Sequence, residues 1–330
     1  MTARKLDQVN WGIIGVGDVC EVKSAPAMQL VPGSRLVAVM RRTARLAEDY
    51  ANRHHVPRWY DDADNLIQDP DINAIYIATP PDGHLPYTLK AAAAGKAVYV
   101  EKPMARNYTE CQQMIKACEQ AGVPLFVAYY RRCLPHFVKV KQWLEQGKIG
   151  EVRHVNVQLN QAVRPQLLSR MNNEWRIDPE IAGGGYFYDL GSHQLDLLDY
   201  LLGPIQQAHG IATNQAGYYS ADDMVCASFM FESGATGTGN WCFNSSQSAT
   251  RDITEIIGSQ GIIRYATFSG GDVTLLVDGK KTQQFSCQLP KHIQQPLIQT
   301  VVVALTENSH CPSTGASAAR TNWVMEQICQ

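Results

Sequence analysis

The chain has 330 residues, 45% hydrophobic and 18% charged, with a formal net charge of −2. That is an ordinary globular composition, long enough for two domains, each with its own core. The basic residues form no long run, so neither a nucleic-acid footprint nor a polybasic membrane patch is indicated, and no apolar run approaches the length of a membrane span.

Met1 to Asn10 is polar and lacks the apolar core of a signal peptide. The nine cysteines are odd in number and include no CxxC pair. They read as reduced thiols rather than a disulfide framework or a zinc site. The expectation is a soluble cytoplasmic protein that needs no metal.

Strand-like runs at Val9–Val16, Arg35–Met40, Ala74–Ala78, Ala97–Glu101 and Leu125–Ala128 alternate with helical patterns at Thr43–Arg53, Leu85–Ala94 and Tyr108–Gln120. Near-continuous apolar strands separated by amphipathic helices predict a doubly wound parallel sheet. Beyond about Gly150 the texture changes. Alternating runs at Glu151–Gln161, Val225–Phe231, Ala235–Phe243, Asp252–Ile257, Gly261–Thr267 and Val273–Val277 follow one another, several separated by turn residues, which predicts an open, mainly antiparallel sheet. Helical stretches at Gly184–Leu202, His292–Glu307 and Ala316–Ile328 complete an α/β chain, divided as 1–130 and 131–330.

The first strand ends in Gly15-Val16-Gly17-Asp18-Val19. Two glycines at this turn suit a pyrophosphate set on a helix N-terminus, with Cys20 in place of the usual third glycine. An NAD site wants an acid at the end of the second strand, but here that strand ends in Arg41-Arg42. Two guanidinium groups there suit a 2′-phosphate, which predicts NADP(H), with NAD(H) as the alternative. The strands counted as fourth and fifth end in Thr79-Pro80 with His84 just beyond, and in Glu101-Lys102-Pro103. Ligands bind at such carboxyl ends, where a lysine can stabilise charge developing on a reacting oxygen.

Gly183-Gly184-Gly185 opens a helical stretch carrying Asp189, His193 and Asp196 at i, i+4 and i+7. A carboxylate one turn before an imidazole can orient a proton-moving histidine. Ser192 and Asp199 extend the same arc opposite Leu195, Leu198 and Leu202, so the stretch also reads as an amphipathic helix with a solvated polar face.

The glycine turn, Glu101-Lys102-Pro103, and the triple glycine followed by Asp189-x-Gly191-x-His193-x-x-Asp196, in this order over nearly the whole chain, resemble the glucose-fructose oxidoreductase/inositol dehydrogenase/rhizopine-catabolism (Gfo/Idh/MocA) family. The resemblance implies a Rossmann domain for the cofactor and an α/β domain for substrate, whose sheet forms a homodimer or homotetramer interface. It implies NAD(P)-dependent oxidation or reduction of a sugar, polyol or related cyclic compound. It gives Lys102 a contact with nicotinamide ribose and the reacting oxygen, His193 the role of proton donor or acceptor, and Asp189 that of orienting His193 or binding substrate. Tyr130-Arg131 stands where many members have an Asn-Arg pair, leaving Arg131 to reach cofactor or substrate. Trp175-Arg176 resembles an element of reductase-type members, one residue stacking and the other bonding oxygens. A catalytically silent NAD(P) sensor and an NAD-assisted glycosidase remain the alternatives for this fold.

Overall fold

A computed structural model describes residues 5–163 and 175–330. The chain forms two compact units, Met1–Tyr130 with Pro290–Ala319, and Arg131–Leu289 with Arg320–Gln330. The sequence reading drew one boundary, at 130/131; each unit is in fact discontinuous in sequence.

The first unit carries β1 (Val9–Ile14), β2 (Ser34–Met40), β3 (Arg58–Tyr60), β4 (Ala74–Ile77), β5 (Ala97–Val100) and β6 (Leu125–Val127). All five pairings are parallel, and the order is β3-β2-β1-β4-β5-β6. The order reverses between β1 and β4, the switch point where a doubly wound sheet binds its ligand. Register then places every strand end in one row: Ile14 pairs with Met40 and Ile77, Met40 with Tyr60, Ile77 with Val100, and Val100 with Val127. The residues that follow each strand therefore emerge along a single edge.

The helices covering this sheet are short or strongly amphipathic. The glycine turn opens α1 (Asp18–Val22), and α2 (Ala25–Leu30) follows with Pro26 in its first turn, a residue that cannot continue a preceding helix. The others are α3 (Ala44–Arg53), α4 (Ala63–Gln68), α5 (His84–Ala93) and α6 (Tyr108–Ala121). Asn107 caps α6 by accepting from the Glu110 N–H at 2.8 Å, and Gly122 closes it in the left-handed region. The returning segment brings in a late helix, Gln295–Glu307, whose Leu297, Ile298, Val301, Val302 and Leu305 are buried, and Ser313 bonds both ways with Val127.

The second unit holds α7 (Pro135–Glu145) and β7 (Val152–Ala162), then β8 (Ile205–Thr213), β9 (Met224–Phe231), β10 (Thr236–Ser245), β11 (Arg251–Gly258), β12 (Gly261–Tyr265), β13 (Asp272–Val277) and β14 (Gln283–Ser286). The order is β14-β13-β12-β11-β7-β10-β9-β8, antiparallel except for β10 beside β7. The α/β architecture is as expected, with a parallel sheet and a mainly antiparallel one. One face of the second sheet is buried through residues such as Val155, Val157, Leu159, Trp241 and Phe243, while Cys226, Ser228, Thr236 and Thr238 are exposed on alternate positions.

Strands β3, β8 and β14 and helix α7 were not among the expected elements. The edge strands β8 and β14 are largely exposed, so no buried face imposes an apolar alternation on them. Among the described residues no helix is long and apolar enough to cross a membrane.

Candidate active site

In the first unit the row of strand ends delivers the expected cofactor residues. Gly15 sits at φ +89°, and a Cβ there would meet the Thr79 methyl at 2.8 Å, so the turn between β1 and α1 requires glycine. Gly17 has open space around the same position, the nearest atom being the Gly15 carbonyl oxygen at 3.9 Å. Val16 and Gly15 both donate to the Met40 carbonyl, which ties this turn to the end of β2. The Thr79 hydroxyl is buried with no protein partner, a polar atom left for something else to satisfy. A glycine cradle and an orphan hydroxyl at the switch point fit a dinucleotide. Arg41 and Arg42 are exposed at the end of β2, and among the described residues neither side chain has a protein hydrogen bond or ion pair.

Lys102 follows β5 on a loop that the interior holds from two directions. Glu101 is 8% exposed, and its carboxylate accepts from Tyr76 Oη at 2.5 Å, Gln294 Nε2 at 2.6 Å and the Lys102 N–H at 3.1 Å. Gln294, wholly buried, also accepts from Tyr99 Oη at 3.1 Å. Glu101, expected as a cofactor contact, thus turns its carboxylate into the unit's interior. His84 is also wholly buried. Its Nδ1 lies 3.0 and 3.2 Å from the Pro103 and Met104 carbonyl oxygens, and its Nε2 lies 2.9 Å from that of Thr79. The ring bridges the loops after β4 and β5, and burial lowers its pKa against the pull of those carbonyls.

In the second unit the expected helix from Gly184 includes a π-helical turn, Phe187–Gly191, and continues as α8 (Ser192–Leu202). Such wide turns recur at functional sites. The triple glycine has packing reasons: Gly183 is at φ +90°, the space at Gly184 is filled by the Tyr188 ring, and Gly185, at φ +64°, faces the Ala221 methyl.

The solvated-face reading of this helix fails. Nine of the eleven α8 residues are buried, all but Tyr200 and Leu202. Asp196 is paired bidentately with Arg132 at 2.9 and 2.6 Å, and Asp199 with Arg320 at 2.8 and 2.6 Å. Buried charges need such partners, so these two aspartates anchor the helix.

Asp189, 16% exposed in its side chain, faces Arg176 Nε at 3.4 Å, and the Arg176 guanidinium lies 4.3 Å from the Trp175 ring centroid. The structure thus gathers Trp175, Arg176 and Asp189 into one cluster. His193, 4% exposed, stands edge-on to Phe268 with ring centroids 6.0 Å apart. Arg131 lies on that same phenylalanine, its guanidinium 4.6 Å from the centroid and its Nε 3.0 Å from the Thr267 carbonyl oxygen. Tyr130, 8% exposed, leads the short turn Tyr130–Cys133 that carries Arg131. Sequence reasoning missed Gln294, Tyr76 and Phe268, which lie far in sequence from the residues they serve and belong to no motif.

Comparison with known proteins identifies the family. Residues 9–129 match the model of the oxidoreductase family with an NAD-binding Rossmann fold, and residues 137–264 match the GFO/IDH/MocA C-terminal domain. The chain is 38% identical to Oxidoreductase P35 of Formosa agariphila over 98% of both chains. It is 28% identical to scyllo-inositol 2-dehydrogenase (NAD(+)) of Bacillus subtilis, over 82% of this chain and 77% of the other. The crystal structure of aldose-aldose oxidoreductase from Caulobacter crescentus complexed with glycerol superposes with a TM-score of 0.85 at 25% identity, covering 97% of this chain and 96% of that one.

Proposed function

Since the chain belongs to the Gfo/Idh/MocA oxidoreductases, we propose that it is an NADP(H)-preferring dehydrogenase or reductase acting on a sugar, polyol or related cyclic hydroxy or keto compound. That it is an NAD(P)-dependent oxidoreductase follows from the family itself. The NADP(H) preference is carried by Arg41 and Arg42, exposed at the end of β2 where an NAD site has an acid.

The bound nicotinamide supplies the hydride chemistry. Gly15 to Val19 would receive the pyrophosphate, Arg41 and Arg42 would take the 2′-phosphate, and Thr79 and Pro80 would contact the cofactor. Lys102, held by the Glu101 and His84 contacts, donates a hydrogen bond to the reacting oxygen and stabilises charge developing there. His193 gives or takes the substrate's proton. Trp175, Arg176 and Asp189 hold the substrate by stacking and by bonds to its oxygens, and Tyr130 and Arg131 are further candidates for contact with cofactor or substrate. The exposed alternate positions of the second sheet suit a homodimer or homotetramer.

The test is a panel of sugars, inositols, keto-sugars and dihydrodiols, followed at the nicotinamide absorbance with both cofactors. NADP(H) should be preferred, and Arg41→Ala/Arg42→Ala should lower kcat/KM for NADP(H) by about 10–100-fold while sparing NAD(H), since charge-assisted contacts are worth ~1.5–3 kcal/mol. A wild type that prefers NAD(H) would sink the arginine assignment. Tight cofactor binding without turnover would favour a sensor, and glycoside cleavage without net redox change would favour the glycosidase.

A further inference from the structure

An aromatic residue outside every motif stands beside His193. Phe268 lies on the loop between β12 and β13, and it is only half-buried. An apolar ring left outside a core forgoes ~1.5–3 kcal/mol of burial, yet this one is fixed on several sides. Asp252 accepts from the backbone N–H of Thr267 at 3.0 Å and of Phe268 at 2.6 Å, one through each carboxylate oxygen. Arg131 binds the Thr267 carbonyl and lies over one face of the Phe268 ring. The ring also meets His193 at an interplanar angle of 71°.

Loop, carboxylate and guanidinium together hold a flat apolar surface in fixed relation to the imidazole. Hydrogen bonds through Asp252 and Arg131 fix the loop's backbone, and a phenylalanine has only two side-chain torsions left to order, which lowers the entropic cost of using it as a contact.

We infer that Phe268 is a specificity-determining platform on which a six-membered cyclic substrate lies by its C–H face, selecting such rings over open-chain polyols. The inference rests on the dehydrogenase reading above. Its chemistry is that of the aromatic quadrupole: the negative ring face attracts the slightly positive C–H bonds on one side of a pyranose or cyclitol. Arg131 covers one face of the ring, and the substrate is assigned to the other. An open-chain alditol offers the same CH–OH group for oxidation but no rigid C–H face.

The experiment compares D-glucose and myo-inositol with D-glucitol and glycerol, using NADP+, in wild type and in Phe268→Ala, Phe268→Leu and Phe268→Trp. Phe268→Ala should raise KM for the ring substrates about tenfold, equivalent to ~1.4 kcal/mol. Its kcat and the KM for the open-chain compounds should barely move. Phe268→Leu keeps bulk without a π face and should behave like alanine, whereas Phe268→Trp should restore the ring KM. Equal losses on ring and open-chain substrates, or a fall in kcat alone, would overturn the proposal and reduce Phe268 to a packing partner of His193. Wild type oxidising none of the compounds defeats the dehydrogenase reading and this proposal with it. Turnover without the ring-selective split defeats the proposal alone.

Discussion

The two side chains proposed to act in catalysis, Lys102 and His193, are held by opposite means. Lys102 stands on a loop fixed by a buried polar clamp, in which Glu101 collects Tyr76, Gln294 and the Lys102 amide while His84 joins the loops after β4 and β5. His193 stands on a helix fixed by burial and charge, through Arg132 on Asp196, Arg320 on Asp199, and rings such as Phe187 against Trp241 at 4.9 Å. A clamp made of single hydrogen bonds loses its function when one bond is removed, because the partner left behind is buried and unsatisfied. A helix with nine buried residues spreads its anchoring over many contacts. The first region should therefore answer point mutations with changes in catalysis, and the second with changes in stability.

Lys102→Ala is the strongest test, since it deletes the group proposed to stabilise the reacting oxygen. A kcat lower by about 10²–10³-fold is expected, the usual result of losing one donor to a developing oxyanion. Cofactor binding, followed by nicotinamide fluorescence, should hold. Unchanged turnover on every accepted substrate would remove Lys102 from the mechanism. Gln294→Ala leaves Lys102 in place and weakens only its support. Glu101 loses one donor, and the buried Tyr99 hydroxyl loses its acceptor, a cost of ~1–3 kcal/mol. If part of that is expressed in loop position, kcat falls about tenfold. A lower Tm with kcat intact would make the clamp purely structural.

Much of this arrangement was legible in the sequence because short-range patterns carried it. The strand ends bearing Gly15, Arg41, Thr79 and Lys102 follow apolar runs that are buried on both faces, and those runs announce themselves. The partners of Glu101 did not. Gln294 is 193 residues away, and no local periodicity marks a side chain whose role is fixed by the returning segment. The same holds for Phe268, which reaches His193 from a loop 75 residues on, and for Arg132, whose pairing with Asp196 rules out the alternative of a solvated face. Pattern reading assigns the polar arc of a helix to water by default. Only the fold shows that arginines from two other segments fill that role here.

The smallest expected effect separates the two regions at their buried histidines. His136, in α7, is 2% exposed, and burial together with the neighbouring Arg131 charge pulls its pKa down to about 4. In the unfolded chain a histidine titrates near ~6.5. Between these values the unfolded state binds a proton that the folded state refuses, so stability rises with pH across the window and is progressively lost as pH falls from about 6.5 toward 4. His84 acts in the same direction, since burial lowers its pKa too. Its carbonyl partners oppose the shift, however, whereas the Arg131 charge reinforces it at His136. Urea unfolding of His136→Gln should therefore show a shallower loss of stability below pH 6.5 than wild type, with no change in slope above pH 7. A His84→Gln variant should flatten the same limb less while disturbing kcat more, because its ring joins the loops that carry Thr79 and Lys102. Parallel pH curves for wild type and His136→Gln would show that the imidazole is not held neutral by the fold, and the contrast between a polar clamp and a packed helix would lose its support on that side.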